Sequence, residues 1–195
     1  MNKTNDTFVG QERVMAKLEA EIGRLIREYQ AKTGKLLTIG TVESATGGGI
    51  ADRITNVPGS SDYFRGSVVA YSDEVKTAVV GVKKATLENH GAVSEQTALE
   101  MARGGRKLLN VDICISDTGI AGPSGATPEK PVGLFYLGLA AKDGSFGHKH
   151  VFLANRQRNK QDAAQAALYM LKQYVLRHVK ARRGSARLWP RVARP

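Results

Sequence analysis

Leu36-Leu-Thr-Ile-Gly-Thr-Val42, then Glu43-Ser-Ala-Thr-Gly-Gly-Gly49, then Ile50 to Val57 make an apolar run, a glycine-rich turn and a short helical segment. A buried strand feeding a helix through a sharp turn is the unit of α/β sheets, so this stretch sets the fold class. Upstream, Val14, Leu18, Ile22, Leu25, Ile26 and Tyr29 recur at helical spacing, and Gly34 is placed to end that helix. Downstream, Ser67-Val-Val-Ala-Tyr71 reads as a second strand, with Ser72 as a helix N-cap and Asp73 and Glu74 in the favourable first turn. Gly81 and Gly91 punctuate two further helices, and Ser94 caps a longer one through Leu109. Val111 to Ser116 reads as the third strand. Leu134 to Ala141 and Gly147 to Leu153 alternate as a hairpin around Lys142-Asp-Gly-Ser145, and Ala163 to Val179 is a final helix. The expected fold is an α/β, three-layer α/β/α sandwich with a mixed sheet, in a single domain. Residues 1–11 read as an N-terminal extension, 12–180 as the domain, and 181–195 as a basic, flexible tail.

The chain has 195 residues, 42% of them hydrophobic and 24% charged, which excludes a wholly disordered chain, a collagen-like repeat and a disulfide scaffold. Lysine and arginine number 29 against 18 acids, and the formal charge of +11 points to nucleic acid, an anionic membrane or a phosphorylated ligand. That charge is uneven. From Arg156 to Pro195 there are eleven basic residues and one acid, Asp162, so the rest of the chain carries only +1. The basic end reads first as a solvated extension, with a nucleic-acid-binding arm as the less favoured alternative. Cys114 is the single cysteine; it excludes an internal disulfide, and its strand setting reads as packing. No apolar run approaches the roughly 18 residues that span a bilayer, and the polar start lacks a signal-peptide pattern, so no membrane partner and a cytoplasmic location are expected.

Three polar loops follow apolar strands: the turn after Val42, the segment after Ala70 and the long loop after Asp117. In open α/β sheets ligands bind beyond the carboxyl ends of strands. A serine in the first turn can be held exposed while nearby backbone amides stabilise an oxyanion or bind phosphate. The turn is neither a P-loop nor a Gly-x-Ser-x-Gly elbow, and a plain helix cap is the bland alternative. The base is harder to choose. His90 reads as a helix end, and His148, His150 and His178 as strand surface or basic end, without a triad context. A lysine is ordinarily protonated to about pH 10.4 and needs burial or a neighbouring cation, such as Arg65, to work as a base. Lys76, just after Tyr71-Ser72, can point back towards the strand ends; a solvated surface charge is the alternative. His148-x-His150 is too sparse for a zinc site, and no metal is expected.

Thr41-Val-Glu-Ser-Ala-Thr-Gly-Gly48, Val69-Ala-Tyr-Ser-Asp-Glu-Val-Lys76, His90-Gly-Ala-Val-Ser-Glu95, Thr118-Gly-Ile-Ala-Gly-Pro-Ser-Gly125 and Lys130-Pro-Val-Gly133 together closely resemble the CinA C-terminal domain family, over about residues 12–176. The characterised activity of that family is deamidation of nicotinamide mononucleotide, which releases ammonia and serves NAD salvage. The resemblance implies a small-molecule substrate, no cofactor and a homo-oligomer. It implies Ser44 as nucleophile, Lys76 as its base and Tyr71 as the group that orients the pair. Thr46, Gly47 and Gly48 would supply amide donors, Thr118 and Gly119 would hold ligand or base, and Arg156 would bind phosphate or orient substrate. Five positions depart from the usual pattern. Ala45 replaces a cysteine, Asp73 an asparagine, Ala126 a loop glycine, and Ala154-Asn155 the glycine and aspartate before the arginine. A non-catalytic relative that binds a pyridine nucleotide or a protein partner is the alternative these departures admit.

Overall fold

The computed structural model describes residues 3–181, with side chains described from Leu18 onward. A helix α1 (Lys3–Thr33) leads into β1 (Ile39–Glu43), α2 (Gly49–Thr55), a 3-10 turn at Ser60–Asp62 and β2 (Phe64–Val69). Then follow α3 (Asp73–Ala78), α4 (Lys84–His90), α5 (Glu95–Leu108), β3 (Ile113–Gly119), the hairpin β4 (Leu134–Ala141) and β5 (Gly144–Val151), and α6 (Arg156–Lys180). The five strands form one mixed sheet in the order β2-β1-β3-β4-β5. β1 lies parallel to both β2 and β3, whereas β4 runs antiparallel to β3 and β5. The expected α/β sandwich with a mixed sheet is the observed architecture.

Every residue of β1 is buried, as a parallel strand covered on both faces must be. On one face, Leu18, Ile22, Leu25 and Ile26 of α1 pack with Leu168, Leu171 and Val175 of α6 over Ile39, Ile113, Ile115, Leu137 and Leu139. Each such side chain stabilises the fold by about 1.5–3 kcal/mol on leaving water. On the other face Val42 and Cys114 meet Met101, Val80 and Val82. Here α5 lies unusually close: a Cβ on Gly105 would stand 2.1 Å from Val42 Cγ2, and one on Gly104 1.6 Å from the Val80 carbonyl oxygen. Burial pushes the Cys114 thiol up to about 12, as suits a packing cysteine.

Several boundaries differ from the sequence reading, each for an identifiable reason. The segment before β1 is held by a side chain instead of the ladder, because Asp112 accepts from the Thr38 amide and hydroxyl at 3.0 and 3.1 Å. β2 begins at Phe64 and stops at Val69; Ala70 still donates to the Glu43 carbonyl, and then the chain turns into the Ser72 cap. β3 runs on through Thr118 and Gly119, which pair with Tyr136 and Phe135 of β4, so both belong to a strand end. The hairpin turn is Lys142-Asp143 alone, since Ala141 already pairs with Gly144. α6 starts seven residues before the expected Ala163: Arg156 to Asp162 is uniformly polar and shows no apolar period, but Asn155 caps it by accepting from the Arg158 amide at 2.9 Å. The expected boundary at residue 12 falls inside α1, and the expected tail lies outside the described residues from 182 on.

Candidate functional site

β1 and β3 end side by side, Val42 level with Ser116, so their next residues, Glu43 and Asp117, emerge together beneath the glycine turn. Both carboxyls are fully buried. Glu43 Oε2 accepts from the Gly48 and Ile50 amides at 2.9 and 3.0 Å and from the Thr46 hydroxyl at 2.7 Å. Its Oε1 accepts from the Ala51 amide at 2.8 Å and the Thr41 hydroxyl at 3.1 Å. Asp117 accepts from the Ser44 and Thr46 amides, each at 3.1 Å, and also contacts the Thr46 hydroxyl. Two acids thus hold the backbone of residues 44–51 in place. Gly47 and Gly48, at φ 65 and 98, supply the left-handed bends that let the amides face inward.

The Thr46 hydroxyl has one hydrogen and two carboxyl neighbours, so a proton on one of those carboxyls completes the set. Burial, reinforced by the charge of Glu43, pushes the Asp117 carboxyl up to about 6, against the opposing pull of its hydrogen bonds. The same geometry corrects an expectation about the turn: the amides of Thr46 and Gly48 are already engaged by acids. Among the described residues, Ala45, Gly47 and Gly49 are the turn positions whose amides no protein group accepts.

Lys76 comes from the next crossover. Ser72 caps α3 by accepting from Val75 N at 3.4 Å, and one turn later Lys76 folds back over that cap. Its ammonium donates to the Tyr71 carbonyl at 2.9 Å and stands 3.5 Å from Asp73 Oδ1. Only 2% of Lys76 is exposed, so the alternative of a solvated surface lysine is overturned. The Arg65 suggested as a neighbouring cation is exposed on β2 and does not line this site.

The third wall is built by β3 and by the start of α6. Thr118 donates to the Ala92 carbonyl at 2.8 Å and draws the loop before α5 to the site, where Ser94 caps that helix. Lys130 reaches the His90 carbonyl at 2.8 Å and ties residues 120–133 to the same loop. Arg156, the first residue of α6, donates to the Gly122 carbonyl at 2.8 Å and to the Tyr71 hydroxyl at 3.2 Å. Fully buried Asn159 fixes that corner, bonding the Ala121 and Ala154 carbonyls. The change from aspartate to asparagine at 155 is therefore absorbed as an ordinary helix cap. Ala45, where a thiol was expected, sits in a small apolar cluster with Ala121, Phe135 and Ala163.

Ser44, Tyr71, Lys76, Thr118, Gly119 and Arg156 all line one cavity of about 250 Å³, together with Asp73. Thr46 lines a second cavity of about 480 Å³, which shares Arg156 with the first. Gly47 and Gly48 lie in the turn between and are not lining residues of either. None of the four histidines lines the first cavity, and among the described residues no group of three or more His, Cys, Asp or Glu is disposed to hold a metal ion. Sequence reasoning missed Asp117 and Asn159, and assigned Glu43 no role. The available signal was positional: an acid at the end of each of two neighbouring apolar runs.

No helix among the described residues is long and apolar enough to cross a membrane. Residues 16–175 match the CinA C-terminal domain. A CinA-like protein of Leptospira borgpetersenii is 46% identical over 167 residues, which is 85% of this chain and 38% of that protein. The chain thus spans about two fifths or less of the curated relatives it matches. The crystal structure of a competence/damage inducible protein from Agrobacterium tumefaciens is 35% identical, covers 82% of this chain and 95% of its own, and superposes with a TM-score of 0.74. A competence damage-inducible protein A from Klebsiella pneumoniae gives 28% identity and a TM-score of 0.76 over 83% of this chain and 97% of its own. By the family match, the length of the shared segment and the common fold, the chain belongs to the CinA C-terminal domain family.

Proposed function

We propose that the protein is an amidohydrolase that converts the carboxamide of nicotinamide mononucleotide to the carboxylate and ammonia, with Ser44 as nucleophile and Lys76 as base. The observation that carries this reading is the convergence of Ser44, Lys76, Tyr71, Thr118 and Arg156, from separate elements, on one cavity. Lys76 in its neutral form takes the Ser44 hydroxyl proton as Oγ bonds to the carboxamide carbon. The Ala45 amide, unengaged and next to Ser44 in the cavity wall, is the turn donor available to the tetrahedral oxyanion. Collapse breaks the C–N bond, and the Lys76 ammonium returns the proton so that ammonia leaves. Water then adds to the acyl-enzyme with Lys76 again taking the proton, and Ser44 departs with it. The Tyr71 carbonyl fixes the Lys76 amine, and the Tyr71 hydroxyl orients Arg156.

Incubation of the purified protein with the mononucleotide should release ammonia, and Ser44→Ala should lower kcat by about a thousandfold or more. Ammonia release that survives this substitution would sink the mechanism. A second reading, binding without turnover, is favoured by one observation: Asp73 competes as an ion-pair partner for the amine that must act as base. Calorimetric binding of the mononucleotide with no ammonia formed selects that reading.

A further inference from the structure

The cavity that holds Ser44 is lined by two cationic side chains, Lys76 and Arg156, and by a single carboxylate, Asp73. The rest of its wall is hydroxyl groups, the Tyr71 ring and small residues. The proposed substrate carries its carboxamide on an N-substituted pyridinium ring, which is itself a cation. Two fixed cations repel such a ring, so a site that accepts it needs a counter-charge close to the reacting end.

Asp73 supplies that charge by its position. Ser72 caps α3, so Asp73 opens the helix at the turn that also carries Tyr71 and Lys76. Its Oδ1 stands 3.5 Å from the Lys76 ammonium, beyond the roughly 2.7–3.2 Å of an N–H···O hydrogen bond. Lys76 instead donates to the Tyr71 carbonyl at 2.9 Å. The Asp73 side chain is 53% exposed against 2% for Lys76, so the carboxylate lies on the solvent side of the buried amine. Tyr71, itself exposed, stands in the same wall. An aromatic ring attracts a cation held over its face, so the carboxylate and the phenol ring favour one kind of ligand. In the substrate the ring nitrogen is only three bonds from the carboxamide carbon. A carboxamide reacting at Ser44 beside Lys76 therefore brings its cationic ring within reach of Asp73.

We propose that Asp73 is a specificity determinant that selects carboxamides borne on a cationic, N-substituted pyridinium ring over carboxamides borne on a neutral ring. The inference rests on the amidohydrolase reading for the reacting end. Asp73 takes no part in bond making. A bound cation competes with the Lys76 ammonium for the same carboxylate, so the contact that opposes base action weakens when the favoured substrate class is in place. The aspartate that stands where asparagine is usual thus gives this chain a charge preference that a neutral amide cannot supply.

The test compares the mononucleotide with its 1,4-dihydropyridine form, which keeps the phosphate and nearly the same shape but has a neutral ring, on wild type and Asp73→Asn. The two carboxamides differ in intrinsic reactivity, so the measured quantity is the change in their kcat/KM ratio between the two proteins, in which that difference cancels. The preference for the cationic form should fall about 5- to 10-fold in Asp73→Asn, since the isosteric amide keeps the side chain's size and removes its charge. A ratio that stays within about twofold overturns the assignment, because a loss of helix stability alone lowers turnover of both forms alike. Calorimetry on Ser44→Ala, with and without Asp73→Asn, gives a readout free of turnover, and the ratio of the two dissociation constants should shrink by the same factor. A binding preference that Asp73→Asn abolishes, with no ammonia from either form in wild type, supports Asp73 and fails the amidohydrolase reading alone. Ammonia release with a ratio insensitive to Asp73→Asn fails Asp73 alone. Absence of binding by either form overturns both.

Discussion

Two pieces of buried charge flank the glycine turn, and they are built in opposite ways. Beneath the turn, Glu43 and Asp117 are both acids, yet the oxygens that hold the turn meet amides or hydroxyls at close range. Behind it, where α1, α2 and α6 meet, Glu19 and Arg53 have opposite charges and bond directly, yet Glu19 Oε2 and Arg53 Nη1 are left without partners. Charge complementarity alone would rank the second arrangement as the better one. Hydrogen-bond satisfaction ranks them the other way, because a buried polar atom without a partner forfeits its hydration. The satisfied cluster sets the backbone that presents Ser44. The unsatisfied one borders the larger cavity, where a donor without an acceptor has chemical meaning.

The widest difference should appear in stability. Glu43→Ala strands the amides of Gly48, Ile50 and Ala51 together, at about 1–3 kcal/mol for each orphaned group, so a loss of about 5 kcal/mol is expected. Replacing both members of the other pair, Glu19→Leu with Arg53→Met, removes two partly satisfied charges at once and should change stability by no more than about 1 kcal/mol. Urea unfolding of both variants measures the contrast. A double variant as damaged as Glu43→Ala would show that the ion pair is structural after all.

A smaller effect separates the two acids of the satisfied cluster. Asp117 is held near 6 by burial and by the charge of Glu43, above the roughly 3.9 of an unfolded aspartate. The folded state therefore binds the extra proton more readily. The stability this contributes is fully present below about pH 4 and is lost as pH rises through about 6. The difference in unfolding free energy between wild type and Asp117→Asn should accordingly drift across that window and level off above it. At neutral pH the asparagine itself should cost about 2 kcal/mol, since its NH2 group must face an amide that the aspartate accepted. A difference that does not vary between pH 4 and 7 would place the shared proton elsewhere.

How much of this could be read from the amino acids follows the type of signal. Apolar periodicity located β1, β4 and the body of α5 and α6, because those segments pack one face or both against the sheet. It could not locate the first two turns of α6, which are polar throughout and are fixed by the Asn155 cap and by Asn159 reaching across to the Ala121 carbonyl. Nor could it extend β3 to Gly119, since the antiparallel partner that continues the ladder lies further along the chain. The candidate residues at the site were placed by motif resemblance. Pattern alone left Lys76 as one of many lysines, because its burial depends on the turn at Tyr71 and Ser72 that folds it back. Asp117 was invisible for the same reason: its partners are some seventy positions away in the chain.

The smallest effect divides local backbone geometry from the side chain it touches. Gly34 and Gly47 both adopt left-handed backbone, at φ 76 and 65, so alanine at either should cost about 1 kcal/mol through the same conformational penalty. Their surroundings differ. Nothing lies within 4 Å of a Cβ built on Gly34, whereas one on Gly47 would touch the Lys160 ammonium at 3.4 Å. Gly34→Ala should therefore lower stability and leave KM for the mononucleotide unchanged. Gly47→Ala should lower stability by a similar amount and also raise KM about threefold, because the added methyl group removes water from the ammonium beside the turn that presents Ser44. Equal thermal losses with unequal KM values would assign the turn beside Ser44 a share in ligand recognition. Equal losses with equal KM values would reduce Gly47 to a bend and leave the Glu43–Asp117 cluster as the turn's whole contribution.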